Sequence, residues 1–475
     1  MTKSRQIAYF ITGTYIVFVL GFFFLALWRY STLRSVWAFD LGYYNRVFWQ
    51  VIHGRAFAVR DIFRADHFTP VRIMLVPFYF IFPGIPTILF LQSAIVSLGG
   101  IACYFLGKHN TGSRFFGVFC LFSFFLTPGV MDLCLNDYHS FPLSIPFILF
   151  AFYFYQRLQW GRFLIFFLLA LSCREEIFSI FFIFGILVLF EKRMSLRLRL
   201  RWSGAIIAIS IFWGLLYLCY KQFLPPASES IGAGSVGGFF ELASLYWDKV
   251  RSGVSMVIAN PGLTLRYSYR MSSLLLFLCL LQPYYLISCL HALIFFWSLG
   301  FWDTLDHPIL FDPHYFSFIL AFIFITYILS LAGVYNFLTS KARSIKAKIV
   351  LRWAKYLAVT AILVALGFHL STHLRVLFSI EAPYTQEELV KVHELAGRAG
   401  DEDVVLVPYT LSALFSSRRE MYCYEQLTRD WDYVLGNVRY AIIEKKAEDV
   451  AERMLSVSGL VLLSETDNLM FFSSR

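Results

Sequence analysis

Charge is scarce in this chain. Asp, Glu, Lys and Arg make up 15% of the 475 residues, 58% are hydrophobic, and the mean hydropathy is +0.64, which excludes a soluble globular protein. The short segments of alternating polarity that a transmembrane β-barrel needs are missing, because the apolar runs are continuous. Eight cysteines form no CxxC and no Cys/His group; most lie inside apolar runs and read as small core residues. The positive balance does not point to a nucleic-acid partner. The net charge of +10 falls largely in short loops between apolar runs, where Lys and Arg set membrane orientation. No small-residue cleavage site follows the run Ile7–Trp28, so it reads as a retained first span. No internal repeat is visible.

What remains is a series of runs long enough to cross a hydrocarbon layer of about 30 Å. Lys3 and Arg5 place the N-terminus in the cytoplasm, and the basic segments Glu191–Arg201 and Lys341–Lys355 return the chain there. Spans are expected at Ile7–Trp28, Ile85–Gly107, Phe115–Val130, Leu143–Tyr155, Ser203–Tyr220, Phe316–Phe337 and Tyr356–Ser371. Val71–Phe82 is too short to cross alone and reads as interfacial or re-entrant. Phe163–Phe190 carries Arg174, Glu175 and Glu176 in its middle, and both its ends are cytoplasmic. It therefore rises and returns, with the charges near the external end. Ser272–Leu299, divided at Gln282-Pro283, reads as a second such pair.

The expected fold is an all-α polytopic membrane protein of about eleven transmembrane helices over residues 1–375, with a long first external loop at 29–72. Composition then changes. TQEELVKVHELAGRAG reads as a helix, and VVLVP, YVLG, AIIE and LVLLSE read as strands, so residues 380–475 form a small extracytoplasmic α/β domain.

The stretch Trp37–Pro70 is the most polar and aromatic of the N-terminal half. It holds Asp40, Asp61, Asp66, His53 and His67 among Arg46, Arg55, Arg60 and Arg64. Arginines are not expected in number on the external face, and their planar forks suit phosphate oxygens; pairing with Asp61 and Asp66 or contact with lipid headgroups stands beside that reading. Asp40 could instead be a helix N-cap, and Arg174 with Glu175 and Glu176 a buried ion pair. Topology puts Asp40, Asp132, Asp137, His139, Glu175, Glu176, Asp306, His307 and His314 on one face, where ionisable groups at membrane depth usually mark a site or a paired contact. No ligand spacing is diagnostic of a metal, and a divalent cation at the His and Asp residues stays open.

Several of these stretches together resemble a prokaryotic family of multi-span membrane proteins with a domain of unknown function. They are FDLGYYNRVFWQVIHGR, DHFTPVRIMLVPFY, LQSAIVSLGGIACYFLGK, NDYHSFPLSIPFILFAFYF and CREEIFSIFFIFGILVLFEKR. The family pattern falls on Asp40-Leu41-Gly42, His67-Phe68, Asp137-Tyr138-His139 and Glu175-Glu176; DPHYFSFI, with His314-Tyr315, and VPYTLSALFSSRREMYCYE are also similar. The architecture is similar to that of GT-C glycosyltransferases, which use polyprenyl-phosphate sugars. The resemblance implies Asp40 as base or metal-orienting carboxylate, with Glu175 and Glu176 as further carboxylates. His67, Asp137, His139, His314 and Tyr315 would line the cleft, and Arg46 and Arg64 would hold the phosphate. The paired first-loop acids of many GT-C enzymes are absent, since Leu41 follows Asp40, which makes His67 and Glu175 rivals for the base. A transporter or flippase of a lipid-linked or anionic solute, and a non-catalytic membrane scaffold, are the other readings. The expected setting is the cytoplasmic membrane, with membrane lipid and a polyprenyl-phosphate sugar as partners.

Overall fold

Continuous apolar runs without water to bond their backbones must fold as helices, and they do. The computed structural model describes residues 3–34, 38–54, 67–135, 137–223, 275–279, 283–288, 317–341, 345–379, 383–418, 420–426, 431–456 and 459–474, with scattered single positions between 248 and 265. In chain order the first helices are α1 (Lys3–Ser31), α2 (Ala38–Ile52), α3 (Val71–Ile81), α4 (Ile85–Thr111), α5 (Arg114–Phe125) and α6 (Pro128–Leu135). There follow α7 (Ser144–Gln156), α8 (Trp160–Leu171), α9 (Ile177–Leu189), α10 (Leu196–Phe223), α11 (Leu275–Cys279), α12 (Ser317–Lys341) and α13 (Ile345–Ser379).

Five described helices are long and apolar enough to span a membrane, within α1, α4, α10, α12 and α13; α5 and α6, bent by 51° at Leu126-Thr127, make a sixth if they are one span. The sequence expectation of about eleven also counted the shorter apolar helices α7, α8 and α9 and a pair within Ser272–Leu299, of which only 275–279 and 283–288 are among the described residues. Helices α4 and α12 are central and mostly buried, whereas α1, α10 and α13 turn Phe24, Phe212 and Phe368 outward.

Ring contacts fix the middle of the bundle. Phe150 and Phe154 stack on Phe166 at 5.0 and 5.4 Å, so α8 runs back along α7. Phe167 meets Phe181 at 4.5 Å and Tyr155 meets Phe184 at 5.1 Å, so α9 reverses again. Ser203 donates to the Gly185 carbonyl, and Gly214 lies against Phe178, which sets α10 antiparallel to α9. The expected rise and return within Phe163–Phe190 is thus a helical hairpin with its turn at Ser172–Glu176.

Several local expectations change. Asp40 is not an N-cap: α2 starts at Ala38, which puts Asp40 inside the first turn. Asp132 is not in a loop, because α6 continues to Leu135 and buries it. The helix expected over Tyr356–Ser371 is longer at both ends, running from Ile345 to Ser379. YVLG lies in α15 (Trp431–Asn437), since its apolar residues serve a helix face beneath the sheet.

The C-terminal part is a five-stranded sheet in the order β2-β1-β3-β5-β4, from β1 (Val404–Val407), β2 (Glu420–Cys423), β3 (Val438–Glu444), β4 (Leu460–Glu465) and β5 (Leu469–Ser474). β1 is parallel to β2 and β3, whereas β5 is antiparallel to β3 and β4. Alternation along β1 sends Val405 and Val407 to the face covered by α14 (Gln386–Arg398) and the 3-10 turn Tyr409–Phe415. Leu406 goes to the face covered by α15 and α16 (Glu448–Ser456). A capping box, with Thr385 and Glu388 each accepting from the other's backbone N–H, starts α14.

Helix α2 joins the two parts. Asn45 donates to the hydroxyls of Ser416 and Ser417 at 2.8 and 3.0 Å and accepts from the Tyr79 hydroxyl. At Gly42 the helix meets the turn backbone so closely that a Cβ would lie 2.9 Å from the Ala413 nitrogen and the Ser412 carbonyl carbon. Gly42→Val should therefore cost about 1–3 kcal/mol. The expected readout is a lower melting temperature in detergent with earlier proteolytic release of the C-terminal sheet; wild-type melting and wild-type proteolysis would show that this contact is not made.

Candidate functional site

Asp40 and Tyr44 sit one turn apart on α2 and so share a face. Asp40 Oδ2 stands 3.7 Å from His139 Nε2. The Tyr44 ring meets His139 edge-on at 5.8 Å and Tyr138 at 5.4 Å. The segment 138–141 follows α6 and is buried throughout, so its backbone polar groups need partners inside the protein. Gln92 of α4 supplies one, accepting from the His139 N–H at 2.9 Å while donating to the Leu133 carbonyl at 2.8 Å. Arg72 holds a side chain of the same segment: its Nε donates to Ser140 Oγ at 2.9 Å, and its guanidinium lies 4.3 Å over the Tyr44 ring. His139 is therefore held at its backbone by α4 and at its ring by α2.

The hairpin tip lies beside the same segment. Arg174 lies 4.7 Å over Phe141 and donates to Glu176 at 2.9 Å. Glu175 is buried and takes two partners from the chain leading into α3. One oxygen is 2.7 Å from His67 Nδ1, and the other accepts the Phe68 N–H at 3.0 Å. The Val71 N–H donates to the Ser172 carbonyl, closing that chain against the tip. Phe68 then packs among Trp213, Tyr217 and Tyr220 of α10. His67, Glu175 and Glu176 each offer a ligand atom, and these three atoms lie within 4.8 Å of one another.

A third charged group lies behind His139. Arg29, at the end of α1, is buried, donates to the Leu135 carbonyl at 2.9 Å, and is in electrostatic contact with Asp137 and Asp132. Asp40, His67, Asp137, His139, Glu175 and Glu176 thus gather along 138–141 from four separate stretches of sequence. Arg46 does not join them. It donates to the Met421 carbonyl of β2 at 2.8 Å, and burial pulls its guanidinium down from the ordinary value while Tyr422 and Glu420 oppose the shift. Arg64, His314 and Tyr315 lie outside the described residues. The sequence reading passed over Arg29, Gln92 and Tyr217. Arg29 carried a signal, a cation at the end of the first span that the charge pattern reads as external, where few are expected. Gln92 and Tyr217 sit in apolar helices with nothing local to mark them.

The chain belongs to the family of predicted membrane proteins designated DUF2079, which matches residues 29–459. No curated protein matches it.

Arg29 is the cation facing Asp132 and Asp137, so Arg29→Met leaves buried carboxylates without it. We expect a loss of about 3–5 kcal/mol in unfolding free energy. Asp137→Asn in the Arg29→Met background should recover part of the loss, as read by thermal or denaturant unfolding in detergent. Equal melting of wild type and Arg29→Met would contradict the pairing.

Proposed function

We propose that this protein is a GT-C-like membrane glycosyltransferase of about eleven spans, which moves a sugar from a polyprenyl-phosphate donor to an acceptor hydroxyl on the extracytoplasmic face of the cytoplasmic membrane. The observation that carries the reading is the meeting of Asp40 and His139 beside the His67–Glu175–Glu176 group, at one end of an apolar helical body. Orientation follows from Lys3, Arg5 and the basic segments 191–201 and 341–355. That assignment puts the sheet and α2 outside and points the hairpin tip toward the external end of the bundle.

Asp40 is partly exposed and lies on the first turn of a helix, where the partial positive charge of the N-terminus favours its ionised form. As the general base it takes the acceptor's hydroxyl proton, with His139 as its orienting neighbour. The acceptor oxygen bonds to the anomeric carbon, the bond from that carbon to the phosphate oxygen breaks, and polyprenyl phosphate leaves with the electron pair. The prenyl chain stays in lipid while its phosphate reaches the hairpin tip. Glu175 and Glu176 bear the same sign of charge as that phosphate, so a cation must stand between them and it.

A second reading, a transporter or flippase of a lipid-linked anionic solute, draws on the Arg174–Glu176 pair at the hairpin tip. The two readings separate in a gene-deletion strain. Transfer predicts loss of a surface-glycan modification and build-up of its lipid-linked donor. Wild type should rescue and Asp40→Asn should fail, with its rate down by about 10²–10⁴-fold. Unchanged glycans and donors would remove the transferase reading, and donor trapped on the cytoplasmic side would favour transport.

A further inference from the structure

Two helices as short as α8 and α9, with 12 and 13 residues, rise only about 18 and 20 Å. Their turn therefore stops short of the far side of a hydrocarbon layer about 30 Å thick. Tyr217, which is coupled electrostatically to Glu175 and Glu176, lies six residues before the end of α10, at Phe223, so that longer neighbour continues past the tip. Glu175 and Glu176 are thus held at depth with Arg174 beside them. Carboxylates drawn together away from water are costly unless cations or donors meet them.

We propose that His67, Glu175 and Glu176 form a binding site for one divalent cation of the Mn²⁺ or Zn²⁺ type. The donor set, one imidazole nitrogen and two carboxylate oxygens, suits those ions. Ligand atoms about 2.0–2.2 Å from a shared ion stand roughly 3–3.5 Å apart. His67 Nδ1 and Glu175 Oε1 are 2.7 Å apart, and the Glu176 atom falls within the same 4.8 Å group, so small side-chain rotations complete the set. The supports that such ligands need are in place: the Phe68 N–H holds the second oxygen of Glu175, and Arg174 holds one oxygen of Glu176. Among the described residues no other group of three such side chains comes this close together.

Three protein ligands leave a further position open, on the side where His67 and Glu176 are about a quarter exposed. The ion turns the site's net charge positive, as a phosphate oxygen requires. That use of the ion rests on the transferase reading; its binding does not.

The test uses the full-length chain in detergent micelles, stripped with a chelator and titrated with Mn²⁺ while free Mn²⁺ is followed by electron paramagnetic resonance. One saturable ion per chain is expected, displaced by Zn²⁺, with about 10-fold or greater weakening in His67→Ala and in Glu175→Gln. Glu191→Gln, which alters the far end of α9, should bind as wild type. Spin-echo modulation from a directly bound imidazole nitrogen reads the same site in the unmutated protein, so the proposal does not hang on a variant folding. The proposal is overturned if the wild type binds no stoichiometric ion, if bound Mn²⁺ shows no nitrogen coupling, or if both variants bind as tightly as wild type. Ion binding alongside unchanged glycans in the deletion strain would retain the site and discard the transferase.

Discussion

A carboxylate buried inside an apolar helical body must be surrounded by partners, and Glu175 dictates much of what lies around it. Its oxygens take the His67 imidazole and the Phe68 N–H, which pins the start of the α3 segment to the hairpin tip 107 residues further on. With Phe68 seated among Trp213, Tyr217 and Tyr220, the same contact draws in α10. Arg174, in turn, offsets Glu176 and rests on Phe141, so the tip is also tied to the segment that carries His139. The cost of burying charge is met by joining four stretches of chain that share no local sequence relation.

Helix α2 links this core to the C-terminal sheet. One of its faces presents Asp40 and Tyr44 to His139, while Gly42, Asn45 and Arg46 contact residues 412–421. The proposed role of Asp40 requires the carboxylate to be held in place, and the helix that carries it is fixed by contacts to the sheet. The sheet also takes Leu33, from the chain between α1 and α2, into its core. Membrane part and sheet are therefore not independent units: the connection that bears Asp40 is shared between their cores.

The Asp40–His139 pair and the His67–Glu175–Glu176 group differ in what they can do. The first combines a partly exposed acid with an imidazole whose ring is fixed by an aromatic neighbour, a pairing suited to moving a proton. The second is richer in carboxylate, and so suited to a cation.

The sequence by itself determined the class of fold. Continuous apolar runs and scarce charge leave a helical membrane body, because backbone groups in lipid must bond within their own segment. The hairpin at Arg174-Glu175-Glu176 was legible from charge parity, and β1, β3, β4 and the helix opened by Thr385 from their patterns of apolar and charged residues. Its limits show at Asp132 and YVLG, where a polar residue looked like a loop and a short apolar run like a strand. Burial of both inside helical layers was a matter of neighbours, not of local pattern. Only the tertiary structure decided which charges meet. It turned Arg46 away to a β2 carbonyl, brought Arg29 to Asp137, and set His67 on Glu175, because long-range pairings follow the packing of helices rather than any spacing along the chain.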